Sequence, residues 1–66
     1  MARVKVRLLP GGEERTVEAE RVSDLIRSLG LDEESYVVLR DGRPLLSSDR
    51  LREGETIVVV RVLSGG

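Results

Sequence analysis

The chain is expected to fold as an α+β domain with one helix laid on one face of a small sheet. Three observations point there. Arg3 to Leu9 alternates apolar and charged residues strictly, as does a half-buried strand. One short segment, Asp24 to Leu29, carries helix periodicity between helix start and stop signals. The remaining apolar runs are short, rich in Val and Leu, and separated by turn residues. A lone helix that follows the first hairpin can cover only one face of a sheet built from the rest, which gives two layers.

Each element follows from its residues. Val4, Val6 and Leu8 point to one side of the first strand, and Arg3, Lys5 and Arg7 to the other. Leu9-Pro10-Gly11-Gly12 supplies a turn, with Pro to restrict φ and Gly where φ is positive. Glu14 to Glu20 returns as the second strand, Val17 and Ala19 inward, so the two form a hairpin. Ser23 is suited to cap the helix, worth about 1 kcal/mol over Ala. Asp24 meets the positive end of the helix dipole. Leu25, Ile26 and Leu29 form the apolar face. Gly30 is placed to end the helix in a left-handed conformation, with Leu31 folding back on Ile26.

Tyr36 to Arg40 reads as the third strand, and Asp41-Gly42 as a tight hairpin turn. Leu45-Leu46 reads as a short fourth strand. Ser47 to Leu51 is expected to be a loop with one helical turn, with Leu51 plugging the core. Gly54 marks another turn, Ile57 to Leu63 the last strand, and residues 64–66 a flexible tail beyond a domain of residues 1–63.

Composition narrows the function classes. Sixty-six residues leave room for one domain. With no Cys and no His, the chain has no disulfide, no thiolate nucleophile, and neither of the commonest metal ligands. Ser23, Ser28, Ser35, Ser47, Ser48 and Ser64 therefore have no His to activate them, and no nucleophile–base pair makes the chain an enzyme. The missing Cys fits a cytoplasmic protein. Met1-Ala2-Arg3 runs straight into strand pattern with no secretory signal, and the run Ile57 to Val60 is too short to span a bilayer. A net charge of −1 with mixed signs disfavours a strongly basic nucleic-acid binder.

The last strand breaks the alternation. Ile57-Val58-Val59-Val60 is apolar on both faces. Parity puts Ile57 and Val59 inward, and Val58, Val60 and Val62 outward, with Leu39 joining the outer set. Two readings stay open: a central strand whose outer Val residues reflect β-propensity, or an exposed apolar patch that docks a partner, with Ser64 at its end. After this strand the sequence reaches Gly65-Gly66. Glycines without Cβ can lie extended in a channel too narrow for side chains and present a bare main-chain carboxylate. That carboxylate becomes a good acyl donor once adenylated on the α-phosphate of ATP. A frayed terminus is the plain alternative.

The chain resembles the ubiquitin-like β-grasp sulfur carriers. The likeness rests on Leu9-Pro10-Gly11-Gly12, the helix Asp24 to Leu29, Asp41-Gly42, the stretch Leu51 with Glu53-Gly54-Glu55, and the ending Val60-Arg61-Val62-Leu63-Ser64-Gly65-Gly66. That group includes the thiamine-pathway carrier, the small subunit of molybdopterin synthase, the tRNA-thiolation carriers and the archaeal small modifier proteins. The resemblance implies a mixed sheet of four to five strands packed on one helix, with the first and last strands adjacent and parallel. It implies adenylation of Gly66 by an activating enzyme that uses ATP and magnesium, neither bound by this chain. The adenylate then becomes a thiocarboxylate, handed to a sulfurtransferase or tRNA-thiolation enzyme, or passes to target lysines. The Val-Leu-Ser-Gly-Gly ending is most similar to the prokaryotic tRNA-thiolation carriers. The molybdopterin-synthase subunit is usually longer, with a tail richer in Pro and aromatics. Direct nucleic-acid and membrane contacts are not expected, and a monomer suffices.

Other features have plainer readings. Ten of the eleven basic residues are Arg, and Lys5 stands alone. Compositional bias explains this simply, although a chain activated at its own end also gains from few acceptor lysines. Asp32-Glu33-Glu34 reads as a solvated loop rather than a hard-metal site. Glu53 and Glu55 read as a wet turn. Arg3, Lys5 and Arg7 lack aromatic platforms for nucleic acid, Tyr36 being the only aromatic, and read as a solvated face or as the basic rim of a docking patch.

Overall fold

The computed structural model of the protein describes residues 1–62. The alternation at the start becomes strand β1 (Ala2–Leu9), with Val4 and Val6 buried and Arg3, Lys5 and Arg7 exposed. Gly12, at φ +81°, turns the chain, and its N–H donates to the Leu8 carbonyl at 2.6 Å. Strand β2 (Glu13–Ala19) therefore begins one residue earlier than expected and pairs antiparallel with β1, Val4 facing Val17.

Helix α1 spans Val22–Ser28 and corrects the expected start. Ser23 is not its N-cap but lies inside the first turn. The first free N–H groups are satisfied from elsewhere in the fold. Val22 N–H donates to the Asp49 carbonyl and Ser23 N–H to the Ser47 carbonyl, both at 3.0 Å. The Asp24 carboxylate accepts the Arg21 N–H at 3.2 Å. Loop 47–49 caps the helix, a long-range contact that local residue preference does not encode. The far end matches expectation. Gly30 sits at φ +70°, and the Gly30 and Leu31 N–H groups reach back to the Arg27 and Ile26 carbonyls.

A 3₁₀ turn, Glu33–Ser35, replaces the expected loop. The Asp32 carboxylate caps it by accepting the Glu34 N–H at 3.3 Å. Among the described residues no cluster of three metal-ligating side chains forms.

Strand β3 is Tyr36–Arg40, as expected. Asp41 and Gly42, at φ 51° and 79°, make a two-residue turn with both centres left-handed. That tight turn brings Arg43 opposite Arg40 and Pro44 opposite Leu39, so β4 is Arg43–Pro44 and not Leu45-Leu46. Leu45 turns toward the core, while Leu46 is 70% exposed. No helical turn forms over 47–51. Asp49 instead closes a turn, its N–H on the Leu46 carbonyl and its carboxylate on the Leu46 N–H. Leu51 does plug the core. Strand β5 is Thr56–Arg61, shorter than the expected 57–63; Val62 N–H bonds the Ser35 carbonyl, and Leu63 lies outside the described residues.

The sheet is mixed, in order β2-β1-β5-β3-β4, with β1 and β5 parallel at its centre. This is the α+β β-grasp architecture. Helix α1 covers the inner face, where Val4, Val6, Val38, Ile57 and Val59 meet Val22, Leu25 and Ile26.

Glu55 does not lie in a wet turn. Its side chain is 14% exposed and holds Arg40 by two bonds, Nε to Oε1 at 2.7 Å and Nη2 to Oε2 at 2.8 Å. The Arg52 N–H also donates to it, and Arg40 reaches the Arg50 carbonyl. Hydrogen bonding to Arg40 holds the Glu55 carboxyl below its ordinary value, against the opposing effect of burial, and raises Arg40 in turn. The pair joins the end of β3 to the approach of β5.

Candidate functional site

The outer face of the sheet is the side the helix leaves bare. Register pairs define its rows. Thr56, Val58 and Val60 of β5 stand beside Lys5, Arg7 and Leu9 of β1. Across β5, Leu39 faces Val58 and Val37 faces Val60. Pro44 extends the row beyond Leu39. The same strand buries Ile57 and Val59 completely on its inner face. The outer residues keep part of their surface in water: Val58, Val60 and Leu39 are half-buried by their neighbours, Val37 is 36% exposed, and Val62 is 44% exposed just past the strand.

The structure thus brings together Leu39, Val58 and Val60, with Val62 at the margin. Ser64, Gly65 and Gly66 lie outside the described residues. Val37 and Leu9 belong to the same surface, although the sequence reading did not single them out. The signal was present. Val37 shares the parity of Leu39, and Leu9 that of Arg7. Leu9, Pro10, Val60 and Arg61 line a shallow apolar depression at the end of β5.

Polar groups edge this surface on the β1 side. Arg3, Lys5 and Arg7 form a stripe, and β2 sets Glu18 opposite Arg3 and Glu14 opposite Arg7. Arg3 pairs with Glu18 at 3.2 Å, with both side chains more than half exposed. That contact contributes little stability, but it offsets positive charge and weakens any reading of the stripe as a phosphate track. An apolar centre with a mixed polar edge suits a protein partner.

The architecture is that of a ubiquitin-like protein. The UBL domain of Plasmodium falciparum Dsk2 superposes with a TM-score of 0.73 over 92% of this chain and 97% of that one. At 23% identity the match shows the shared fold. The family is more specific: residues 2–63 match the model for small archaeal modifier protein 2, and the chain belongs to that family. An uncharacterized protein of Archaeoglobus fulgidus is 40% identical over 60 residues, covering 85% of this chain and 88% of that protein. Among the described residues no helix is long and apolar enough to cross a membrane.

Proposed function

We propose that this protein is a ubiquitin-like modifier whose Gly66 carboxylate is adenylated by a cytoplasmic activating enzyme that docks on the outer face of β5. The observation that supports it most is the placement of Gly65-Gly66. In a modifier-family chain, the glycine pair follows within a few residues of a strand whose outer Val58 and Val60 have no covering layer among the described residues. Docking on Val37, Leu39, Val58, Val60 and Val62 buries apolar surface, at about 25 cal/mol per Å². It also fixes the point from which the tail enters the enzyme.

The chemistry proceeds in two steps. A carboxylate oxygen of Gly66 attacks the α-phosphorus of ATP and pyrophosphate leaves, the enzyme supplying nucleotide and magnesium. A nucleophile then attacks the acyl carbon and AMP leaves. With a target lysine as nucleophile, an isopeptide bond forms and a proton is lost. The absence of side chains at residues 65 and 66 lets both steps proceed in a narrow channel.

A second outcome shares the first step. The Val62-Leu63-Ser64-Gly65-Gly66 ending resembles the tRNA-thiolation carriers, and a sulfur donor on the enzyme would convert the adenylate into a thiocarboxylate. The thiamine and molybdopterin pathways are further acceptors of the same sulfur.

Pyrophosphate exchange with the cognate activating enzyme tests the proposal. Deleting Gly66 should abolish exchange, and Val60→Glu should reduce it at least about tenfold by placing a charge in the docking centre. Exchange that survives the Gly66 deletion contradicts the activated-tail reading. Exchange untouched by Val60→Glu contradicts the docking face alone.

A further inference from the structure

A second apolar surface lies at the β3 edge of the sheet, where it meets the outer face at Val37 and Pro44. It is a groove of about 360 Å³ between α1 and the β3 edge, floored by Val22, Ile26, Val38 and Leu45. Strand β4 is too short to cover this edge. It pairs only with Leu39 and Arg40, and one further bond, Leu45 N–H to the Val38 carbonyl, closes that side.

Alternation along β3 decides what remains open. The Ser35 carbonyl faces β5, since it accepts the Val62 N–H, and the Val38 carbonyl faces β4. The Tyr36 carbonyl and the Val38 N–H therefore also point to the β4 side. Neither has a hydrogen-bond partner among the described residues. An acceptor and a donor two residues apart are what one residue of an added strand needs. Leu46, 70% exposed, stands at the lip of the groove.

Charge selects the occupant. Asp32, Glu33 and Glu34 lie exposed just before β3, Glu33 within the groove wall. No Arg or Lys lies within ion-pair distance of any of the three among the described residues. A second copy is a poor match: the other open edge, β2, carries Glu13, Glu14 and Glu18 against one Arg15. Acidic strand would face acidic groove.

We infer that the α1–β3 groove binds an extended segment of a partner protein by strand addition along Tyr36–Val38, with apolar side chains on Val22, Ile26 and Leu45 and a Lys or Arg at the Asp32–Glu34 end. This site is independent of Gly66, so a protein without the terminal glycine keeps it. Val37 and Pro44 line both this groove and the margin of the outer face, whereas Val58 and Val60 do not line the groove, so its occupant leaves those two valines uncovered.

The test is a titration of the isotope-labelled full chain with a short synthetic peptide that alternates Ile and Thr and ends in two Lys, followed by amide NMR. The proposal predicts shifts centred on Tyr36, Val38 and Leu45, and slower exchange of the Val38 amide. Glu33→Lys should weaken binding about tenfold, and Leu46→Asp should weaken it without unfolding the exposed site. Backbone N-methylation of the peptide should remove binding. No shift at the β3 edge, equal affinity for a peptide ending in two Glu, or binding that survives N-methylation each overturns the proposal. Shifts at the same amides on concentrating the protein alone assign the groove to a second copy and also overturn it.

Discussion

The two faces of β5 carry nearly the same chemistry and have opposite fates. Ile57 and Val59 are fully buried under α1, whereas Val58 and Val60 stand on a surface covered only by their neighbours on the sheet. Side-chain hydrophobicity does not separate them. What separates them is that a single helix, placed after the first hairpin, supplies one layer and leaves the other face without one. Apolar residues on the inner face hold the fold together; the same residue type on the outer face remains available to a partner.

Substitutions on the two faces should therefore differ in kind. The largest effect is expected at Leu25→Ala, which empties a fully buried site under β5 and should cost about 3 kcal/mol in denaturant unfolding. A loss below about 1 kcal/mol would mean that the inner face tolerates cavities and that the contrast is weaker than stated.

Glu55→Gln should come next, at about 2 kcal/mol, by leaving the half-enclosed Arg40 without its carboxylate. Its pH dependence carries a sign. Glu55 titrates below its ordinary value in the folded protein, so its contribution is complete above the unfolded value and is lost as pH falls through the lowered folded one. Acid unfolding of the wild-type protein should show this loss, and the Gln variant should lack that component. Identical acid profiles would contradict it.

Val60→Glu should cost less stability, under about 1 kcal/mol, because its side chain already meets water. It should nevertheless remove most activation by the adenylating enzyme. A variant that unfolds instead would show that the outer face is structural. Lys5→Arg should be smallest, within about 0.5 kcal/mol, since the side chain is exposed and the charge is kept. It also removes the only side-chain amine, so any multimers linked through that position should vanish from mass spectra.

Much of the architecture was legible because local signals agreed. Strict alternation gave β1, Asp41-Gly42 gave the β3 turn, and Gly30 gave the helix end. The misreadings share a cause. Ser23 looked like a cap, but the helix start is held by carbonyls of residues 47 and 49, which only the folded chain brings near. Leu45-Leu46 looked like a strand, but the two-residue turn fixed the pairing earlier. Glu55 looked wet until the fold set Arg40 beside it, fifteen positions away in sequence. The outer apolar row was half legible. Parity pointed to Leu39, Val58, Val60 and Val62, while Val37 and Leu9 needed the pairing of three strands to join them.

The most direct test of the central claim is the mass of this protein and its conjugates isolated from its native host without added reductant. The account predicts that Gly66 is found in isopeptide linkage to lysines of other proteins, or as a free thiocarboxylate with sulfur in place of one terminal oxygen. Recovery of only the unmodified chain, with no Gly66 linkage on any protein, would contradict an activated tail.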